Sequence, residues 1–455
     1  MDETAAKLHL TRADFPKDFV FGTATSAYQI EGTNNHDGAG LSHWDTFAAT
    51  PGNTANFEDG SEACDHYTRW AEDLDLIRDG GFDAYRFSTS WARIEPDGPG
   101  AINTNGLDFY DRLVDGMLER GIEPWLTLYH WELPAWLATR GGWQNRETAE
   151  RFGDFADIVS RQLGDRLAAT ATINEPWCVA WLSHFYGAHA PGLRDIRAAG
   201  HAMHHVLLAH AEAMEVLRAN GVENLGIVLN LEVATPATNS AADQKAAQTY
   251  DGIYNRWFLS ALFGHSYPDD ILEGLGSHLP DRWQSDMDAI SKPIDWLGLN
   301  YYTRKHIAHD AAAPWPACRD VPHIPNEESE NTTAIGWEIY PDGLRDFLVW
   351  ARDSYSGDTP IYITENGLAS DDIITKENVD DPQRIRFLND HWDAMKQALQ
   401  ADVPVKGYFV WSLLDNYEWA LGYDARFGIV HVDRETFERT PKSSWRALKT
   451  ALQRG

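Results

Sequence analysis

Two segments of this 455-residue chain end an apolar, β-branched run in a glutamate: Thr172-Ile173-Asn174-Glu175-Pro176 and Ile363-Thr364-Glu365-Asn366-Gly367. A carboxylate at the end of such a run is costly to remove from water unless it is paired or used. One of them alone reads equally well as a salt bridge or a surface turn. Two on the same face of one fold read as a pair for acid and base work, one protonated and one ionised. With them stand Gln29, His130, Asn174, Tyr302, Trp411, Glu418 and Trp419, candidate strand-end residues that mix hydrogen-bonding groups with aromatic faces. That mixture suits polyols, whose C–H surfaces stack on rings while their hydroxyls need fixed partners.

Such residues need a frame that brings them together. Eight short runs rich in β-branched and aromatic residues recur along the chain: Phe19 to Thr25, Phe82 to Ser88, Ile122 to His130, Ala169 to Asn174, Leu225 to Leu231, Ile294 to Tyr302, Pro360 to Asn366 and Val405 to Ser412. Helical patterns lie between them: Cys64 to Asp79, Leu107 to Arg120, Arg146 to Leu163, Gly200 to Asn220, Asp342 to Asp353 and Asp381 to Gln400. Eight strands alternating with helices predict an α/β fold of one kind, a (β/α)8 barrel with elaborated βα loops. An open doubly wound sheet is the weaker choice, because neither a Gly-x-Gly-x-x-Gly turn nor a phosphate loop is present. Length alone would allow about three domains, but no Pro- or Ser-rich linker divides the chain, so residues 1–455 read as one domain. In a barrel, chemistry belongs at the carboxyl ends of the strands, which is where both glutamates fall.

Composition narrows the partners. The 38 Lys and Arg against 69 Asp and Glu give a formal charge of −31 with no basic arm, so nucleic acid and anionic membranes are excluded as partners. Arg far outnumbers Lys, in keeping with an acidic, soluble surface. Cys64, Cys178 and Cys318 are odd in number and widely spaced, which predicts buried thiols in a reducing compartment rather than a disulfide frame or a zinc site. Met1-Asp2-Glu3-Thr4 lacks a secretory start and no uninterrupted apolar stretch of about 18 residues follows, so a cytoplasmic location is expected. Asn331-Thr332-Thr333 fits a glycosylation acceptor, but without export it carries no weight.

Other chemistry-bearing residues read as structural. His201, His204 and His205 could place two imidazoles on one helix face as metal ligands, but no carboxylate or cysteine set accompanies them in sequence, so packing or surface roles are expected. Most of the 19 Trp, including Trp70 and Trp392, should pack the helices onto the barrel.

Taken together, the motifs resemble those of glycoside hydrolase family 1, the β-glucosidases and their relatives. The resemblance runs from Asp14 to Trp445. Its markers are Phe19-Val20-Phe21-Gly22 leading to Gln29-Ile30-Glu31-Gly32, Arg86-Phe87-Ser88 with Ser90-Trp91, and Tyr129-His130-Trp131. They continue with Asn174-Glu175-Pro176, Gly298-Leu299-Asn300-Tyr301-Tyr302, Thr364-Glu365-Asn366-Gly367, and Trp411-Ser412-Leu413-Leu414-Asp415-Asn416 followed by Glu418-Trp419. One tripeptide alone would say little; their joint order is specific.

The resemblance implies a retaining, exo-acting β-glucosidase with Glu175 as acid/base and Glu365 as nucleophile, needing no metal or other cofactor. Retention calls for carboxyl groups about 5 to 5.5 Å apart, whereas inversion leaves about 6.5 to 9.5 Å for a water. Arg86 and Tyr302 would hold Glu365 ionised, with Asn300 in support. Gln29, His130, Trp131, Asn174, Glu418 and Trp419 would contact the sugar, Trp411 would form its stacking floor, and Phe427 joins this set. Glu418, as a carboxylate, would accept two hydroxyl bonds and repel a 6-phosphate. The phosphoglycosidase branch carries Ser there with Lys and Tyr further on, where this chain has Ala425 and Phe427. Trp177 and Leu182 would narrow the entrance and confer moderate glucose tolerance. The expected substrates are small β-glucosides, with galactosides and fucosides in second place. The alternatives are a 6-phospho-β-glycosidase, or a catalytically silent sugar-binding protein on the same barrel, which usually lacks one glutamate. Thioglucosidase action is disfavoured because the acid/base position there is commonly Gln.

Overall fold

The computed structural model describes residues 7–32, 37–264, 266–324, 331–375 and 378–454. Eight strands, β1 (Val20–Ala24), β2 (Ala84–Ser88), β3 (Glu123–Tyr129), β4 (Ala169–Asn174), β5 (Leu225–Asn230), β6 (Trp296–Asn300), β7 (Ile361–Asn366) and β8 (Val405–Trp411), pair in sequence order and close on themselves. Every pairing is parallel, including the closing one, in which Val20 faces Gly407 and Ala24 faces Trp411. Each of the eight expected runs supplies one barrel strand.

The described α-helices of eight residues or more are α1 (His66–Asp79), α2 (Thr104–Glu119), α3 (Arg146–Leu163), α4 (Ile196–Ala219), α5 (Ala241–Asp251), α6 (Trp257–Gly264), α7 (Pro341–Ala351), α8 (Pro382–Gln400) and α9 (Ser443–Ala451); α5 packs on the loop sheet above the barrel through Ala246 and Ala247. On α3, Phe152, Phe155, Ala156, Val159 and Leu163 recur at helical spacing and are buried. The Asn145 side chain accepts from Glu147 N at 3.1 Å and starts that helix. The start of α4 is four residues earlier than the expected Gly200, because Asp195 caps it by accepting from Ala198 N at 2.8 Å. Of these nine helices, α5, α6 and α9 escape the sequence reading. No described helix is long and apolar enough to cross a membrane.

Two apolar regions flank the barrel wall. Between wall and helices one buried cluster runs from Phe15 to Leu452, and Trp392 belongs to it, packed edge-on to Phe15 at 5.7 Å. Trp70 lies against Gly116 of α2, as expected for a helix-packing tryptophan. Inside the barrel, Trp125, Trp296, Tyr362 and Phe409 form an aromatic floor, with centroids 4.7 to 5.7 Å apart. Small residues make room for it. A Cβ on Gly22 would lie 2.3 Å from the Phe409 ring, and one on Gly226 would lie 2.6 Å from Trp296. Packing large against small fills the lower barrel and leaves only its upper end free for a ligand.

The loops at that end are the elaborate ones. Val233–Pro236, Arg304–His309 and Cys318–Val321 form a three-stranded sheet from the segments after β5 and β6. The histidines of α4 are packing residues: His205 Nδ1 meets Trp143 O at 3.0 Å, His201 Nδ1 meets Gln144 O at 3.3 Å, and His204 lies between Tyr267 OH at 2.8 Å and Asp286 at 3.0 Å. Contrary to the sequence reading, a carboxylate does accompany His204. Asp286 is committed to Arg146, however, at 2.6 and 2.8 Å, as a structural ion pair.

Candidate active site

Both glutamates reach the upper barrel through a break in strand register. In β4 the pairing with β5 shifts between Ala171 and Asn174, and in β7 the pairing with β6 shifts between Ile363 and Glu365. Such irregularities re-aim side chains at barrel rims. Here they turn Asn174 and Glu365 inward. Glu175, one residue beyond β4, takes φ of 50°, a left-handed conformation that costs a non-glycine residue about 1 kcal/mol or more.

The upper barrel encloses a cavity of about 270 Å³. Of the residues singled out in sequence, His130, Trp131, Glu175, Asn300, Tyr302, Glu365, Trp411, Glu418, Trp419 and Phe427 form its wall, as do Trp177 and Leu182. Gln29, Asn174 and Arg86 sit just behind the wall, almost completely buried. Gln29 donates to Tyr417 O at 2.9 Å and to Glu418 Oε2 at 3.3 Å. It therefore reaches the cavity by holding Glu418.

Arg86 organises the floor. Its Nη1 donates to Glu365 Oε1 at 2.7 Å, Nη2 to Asn174 Oδ1 at 2.6 Å and Nε to Thr127 Oγ1 at 3.0 Å. Tyr302 OH donates to the other Glu365 oxygen at 2.7 Å. Asn300 takes the proton of Thr364 Oγ1 on its own oxygen at 2.7 Å, which aims its amide at Glu175 Oε1, 2.6 Å away. Asn174 Oδ1 accepts from both Arg86 and Asn300, so its amide must point to His130 Nε2 at 3.1 Å. That nitrogen is then an acceptor, and His130 is neutral with its proton on Nδ1. Burial, aided by the Arg86 charge, lowers the His130 pKa in the same sense. Its buried Nδ1 has no hydrogen-bond partner among the described residues.

The two glutamates differ in their surroundings. Burial and then the charge of Glu365 push Glu175 up to about 8. Burial also raises Glu365, but Arg86 and Tyr302 oppose that rise directly at its two oxygens. One proton between the two carboxyls therefore resides on Glu175. Burial, with Glu365 and Glu175 close by, pushes Glu418 up to about 8.

Sequence reasoning missed part of the wall: Cys178, His189, Asn230, Glu232, Tyr250, Tyr254, Thr303, Lys305 and Trp337. Cys178 was expected only as a buried thiol, yet its Sγ lies 3.1 Å from Glu175 Oε2. Cys64 is buried as expected and Cys318 is half-buried. Among the described residues, His306, His323 and Glu338 bring possible metal ligands within 4.8 Å of one another. They lie outside the cavity wall, and Arg304 already neutralises Glu338 through both oxygens at 2.7 Å.

The chain is similar to known glycosidases over nearly its whole length. A β-glucosidase of an Agrobacterium species is 45% identical over 450 residues, covering 97% of each chain. A bifunctional β-D-glucosidase/β-D-fucosidase of Bifidobacterium breve is 42% identical over 455 residues, covering 95% of this chain and 96% of that one. The solved β-glucosidase of Thermotoga maritima in complex with glucoimidazole superposes with a TM-score of 0.91 at 43% identity, covering 96% of this chain and 98% of the other. Residues 11–454 match the family described as Glycosyl hydrolase family 1, and the chain belongs to that family.

Proposed function

We propose that this chain is a retaining, exo-acting β-glucosidase. It removes terminal non-reducing β-D-glucosyl residues from short glycosides and cellobiose-type oligosaccharides, with β-D-fucosides and β-D-galactosides as secondary substrates. The observation that carries the reading is the pair of buried carboxyls, Glu175 and Glu365, in one sugar-sized cavity with opposed surroundings.

Glu365, held bare by Arg86 and Tyr302, attacks the anomeric carbon while Glu175 gives its proton to the departing oxygen. The product is a glycosyl ester and a free aglycone. Esterification removes the charge of Glu365, so one cause of the raised Glu175 pKa disappears. Glu175 then takes a proton from water, which attacks the same carbon from the side the aglycone left. Two displacements restore the β configuration. His130 Nδ1 and Glu418 serve as hydroxyl partners, Asn174 meets the 2-hydroxyl, and Trp411 carries the apolar sugar face. Both Gln29 and Trp419 support this grip, Gln29 acting through Glu418.

A 6-phosphate would enter a cavity whose wall holds one Lys or Arg among the described residues, Lys305, itself paired with Asp320 at 3.0 Å. The phosphoglycosidase alternative thus lacks a cation to receive its substrate. Unpaired Cys64, Cys178 and Cys318 support action in a reducing cytoplasm, on oligosaccharides released by cellulose degradation. One apolar cluster spanning Phe15 to Leu452 supports a single catalytic domain.

The test is an activated aryl β-glucoside with and without azide. Glu175→Ala is expected to form the glycosyl ester and, with azide, release the β-glycosyl azide. Glu365→Gly is expected to yield the α-glycosyl azide. Swapped or absent products refute the two roles.

A further inference from the structure

Cys178 lies in the turn that follows Glu175, its N–H bonded to the Glu175 carbonyl at 2.9 Å. Its Sγ is 3.1 Å from Glu175 Oε2, short for a contact through sulfur. The other carboxyl oxygen, Oε1, is held by Asn300 Nδ2 at 2.6 Å. The two oxygens are therefore held by unequal donors, a short amide bond on one side and a weak thiol on the other. A second contact sets the direction of the thiol. Asn230 Nδ2, held to Tyr254 OH at 2.7 Å, also lies 3.5 Å from Cys178 Sγ and presents a donor to its lone pair. With that side of the sulfur taken, the S–H points to Glu175.

We propose that Cys178 is a positioning residue that makes Oε2 the proton-bearing oxygen of Glu175, by holding it with a donor too weak to displace the proton. Oε1, under Asn300, then serves as the carbonyl oxygen of the acid. When Glu175 protonates the leaving group, the thiol donates to the new carboxylate. When Glu175 regains its proton from water, the thiol still donates, now to the remaining lone pair of the protonated Oε2. A hydroxyl in its place would favour the carboxylate throughout, and a methyl would leave Oε2 unguided.

Burial and the neighbouring Glu175 charge keep the thiol protonated at neutral pH, as the donor role requires. The other groups facing Glu175 are Glu365 from β7, Arg86 from β2, Tyr302 after β6, Glu418 after β8, and Tyr254 beside α6. All are unchanged in variants at position 178, so a shift in titration reports the thiol.

The inference rests on Glu175 being the acid/base. The experiment compares the full-length parent, Cys178→Ser and Cys178→Ala by kcat/KM against pH, using aryl β-glucosides of graded leaving-group quality, with a thermal melt of each. The serine variant is expected to move the alkaline limb down by about half a pH unit, since a stronger donor favours the charged carboxyl. The alanine variant is expected to move it up, and to lose more rate on poor leaving groups than on good ones. Should the serine variant lose its cooperative melt, the alanine limb decides alone. A limb unmoved in the folded variants overturns the proposal. Failure of the underlying reading is seen separately, as a Glu175→Ala enzyme that loses no more rate on poor leaving groups than on good ones.

Discussion

Arg86 and Glu365 form a buried ion pair at 2.7 Å across the barrel floor, and the same guanidinium holds Asn174, next to Glu175, at 2.6 Å. One side chain on β2 thus registers β7 against β4. A lone buried charge would be left if either partner were removed, a loss of about 3–5 kcal/mol. The pair therefore couples folding to the placement of the reacting groups.

Arg86→Lys keeps the charge and loses the fork. A single ammonium cannot span Glu365, Asn174 and Thr127 together. The expected outcome is a fall in kcat of about a hundredfold or more, together with a lower melting temperature. Near-parental kcat in a folded lysine variant would remove Arg86 from the account.

The pH dependence follows from which carboxyl must hold a proton. Glu175 acts first as an acid, so kcat/KM falls as pH rises through its value, pushed up to about 8 by burial and Glu365. Glu365 must be ionised to attack, so the rate also falls as pH drops through its raised value. A bell is expected, with its alkaline limb near pH 8 and absent in Glu175→Gln. An alkaline limb that persists in that variant would assign it to another group.

Inside the barrel, Gly22→Ala would press a methyl 2.3 Å from the Phe409 ring and 2.9 Å from Ala84 O. Phe409 is locked against Trp125 at 5.0 Å and cannot retreat freely. Overpacking of this kind costs about 1–3 kcal/mol. Urea unfolding should show a lower midpoint, and an unchanged midpoint would mean that the floor is more yielding than its packing implies.

Leu182 is half-buried in the cavity wall and Trp177 is fixed on Tyr254 with ring centroids 4.1 Å apart, and we propose that the two narrow the entrance. This narrow approach should disfavour nonproductive glucose beyond the first sugar site. The parent is expected to show a glucose inhibition constant above its substrate KM. Leu182→Ala should lower that constant several-fold, and an inhibition constant no higher than KM in the parent contradicts the reading.

The barrel was legible because each strand is a compact run of β-branched and aromatic residues, buried on both faces. The catalytic pair was legible because a glutamate ends two such runs. The register breaks before Glu365 and Asn174 were not, since neither Ile363-Thr364 nor Thr172-Ile173 contains a glycine or proline to announce them. The sheet of Val233–Pro236, Arg304–His309 and Cys318–Val321 joins strands far apart in the chain, and its short strands show no clean alternation. α5 is mostly polar and so carries no strong helical stripe, whereas α9 has one, Trp445, Leu448 and Ala451, but over only nine residues. Cys178 and Lys305 fall outside the strand ends where chemistry was sought. The raised pKa of Glu418 comes first from burial and then from two carboxyls distant in sequence, neither of which is in place until the barrel closes.

The backbone at Glu175 gives this arrangement an evolutionary price. Left-handed φ suits glycine or asparagine, so selection for folding alone would drift toward those residues there. A lineage released from the need to cleave its sugar would lose this glutamate early, gaining ruggedness as it did so. The acid/base position is thus the point at which an idle descendant of this barrel would first show its retirement.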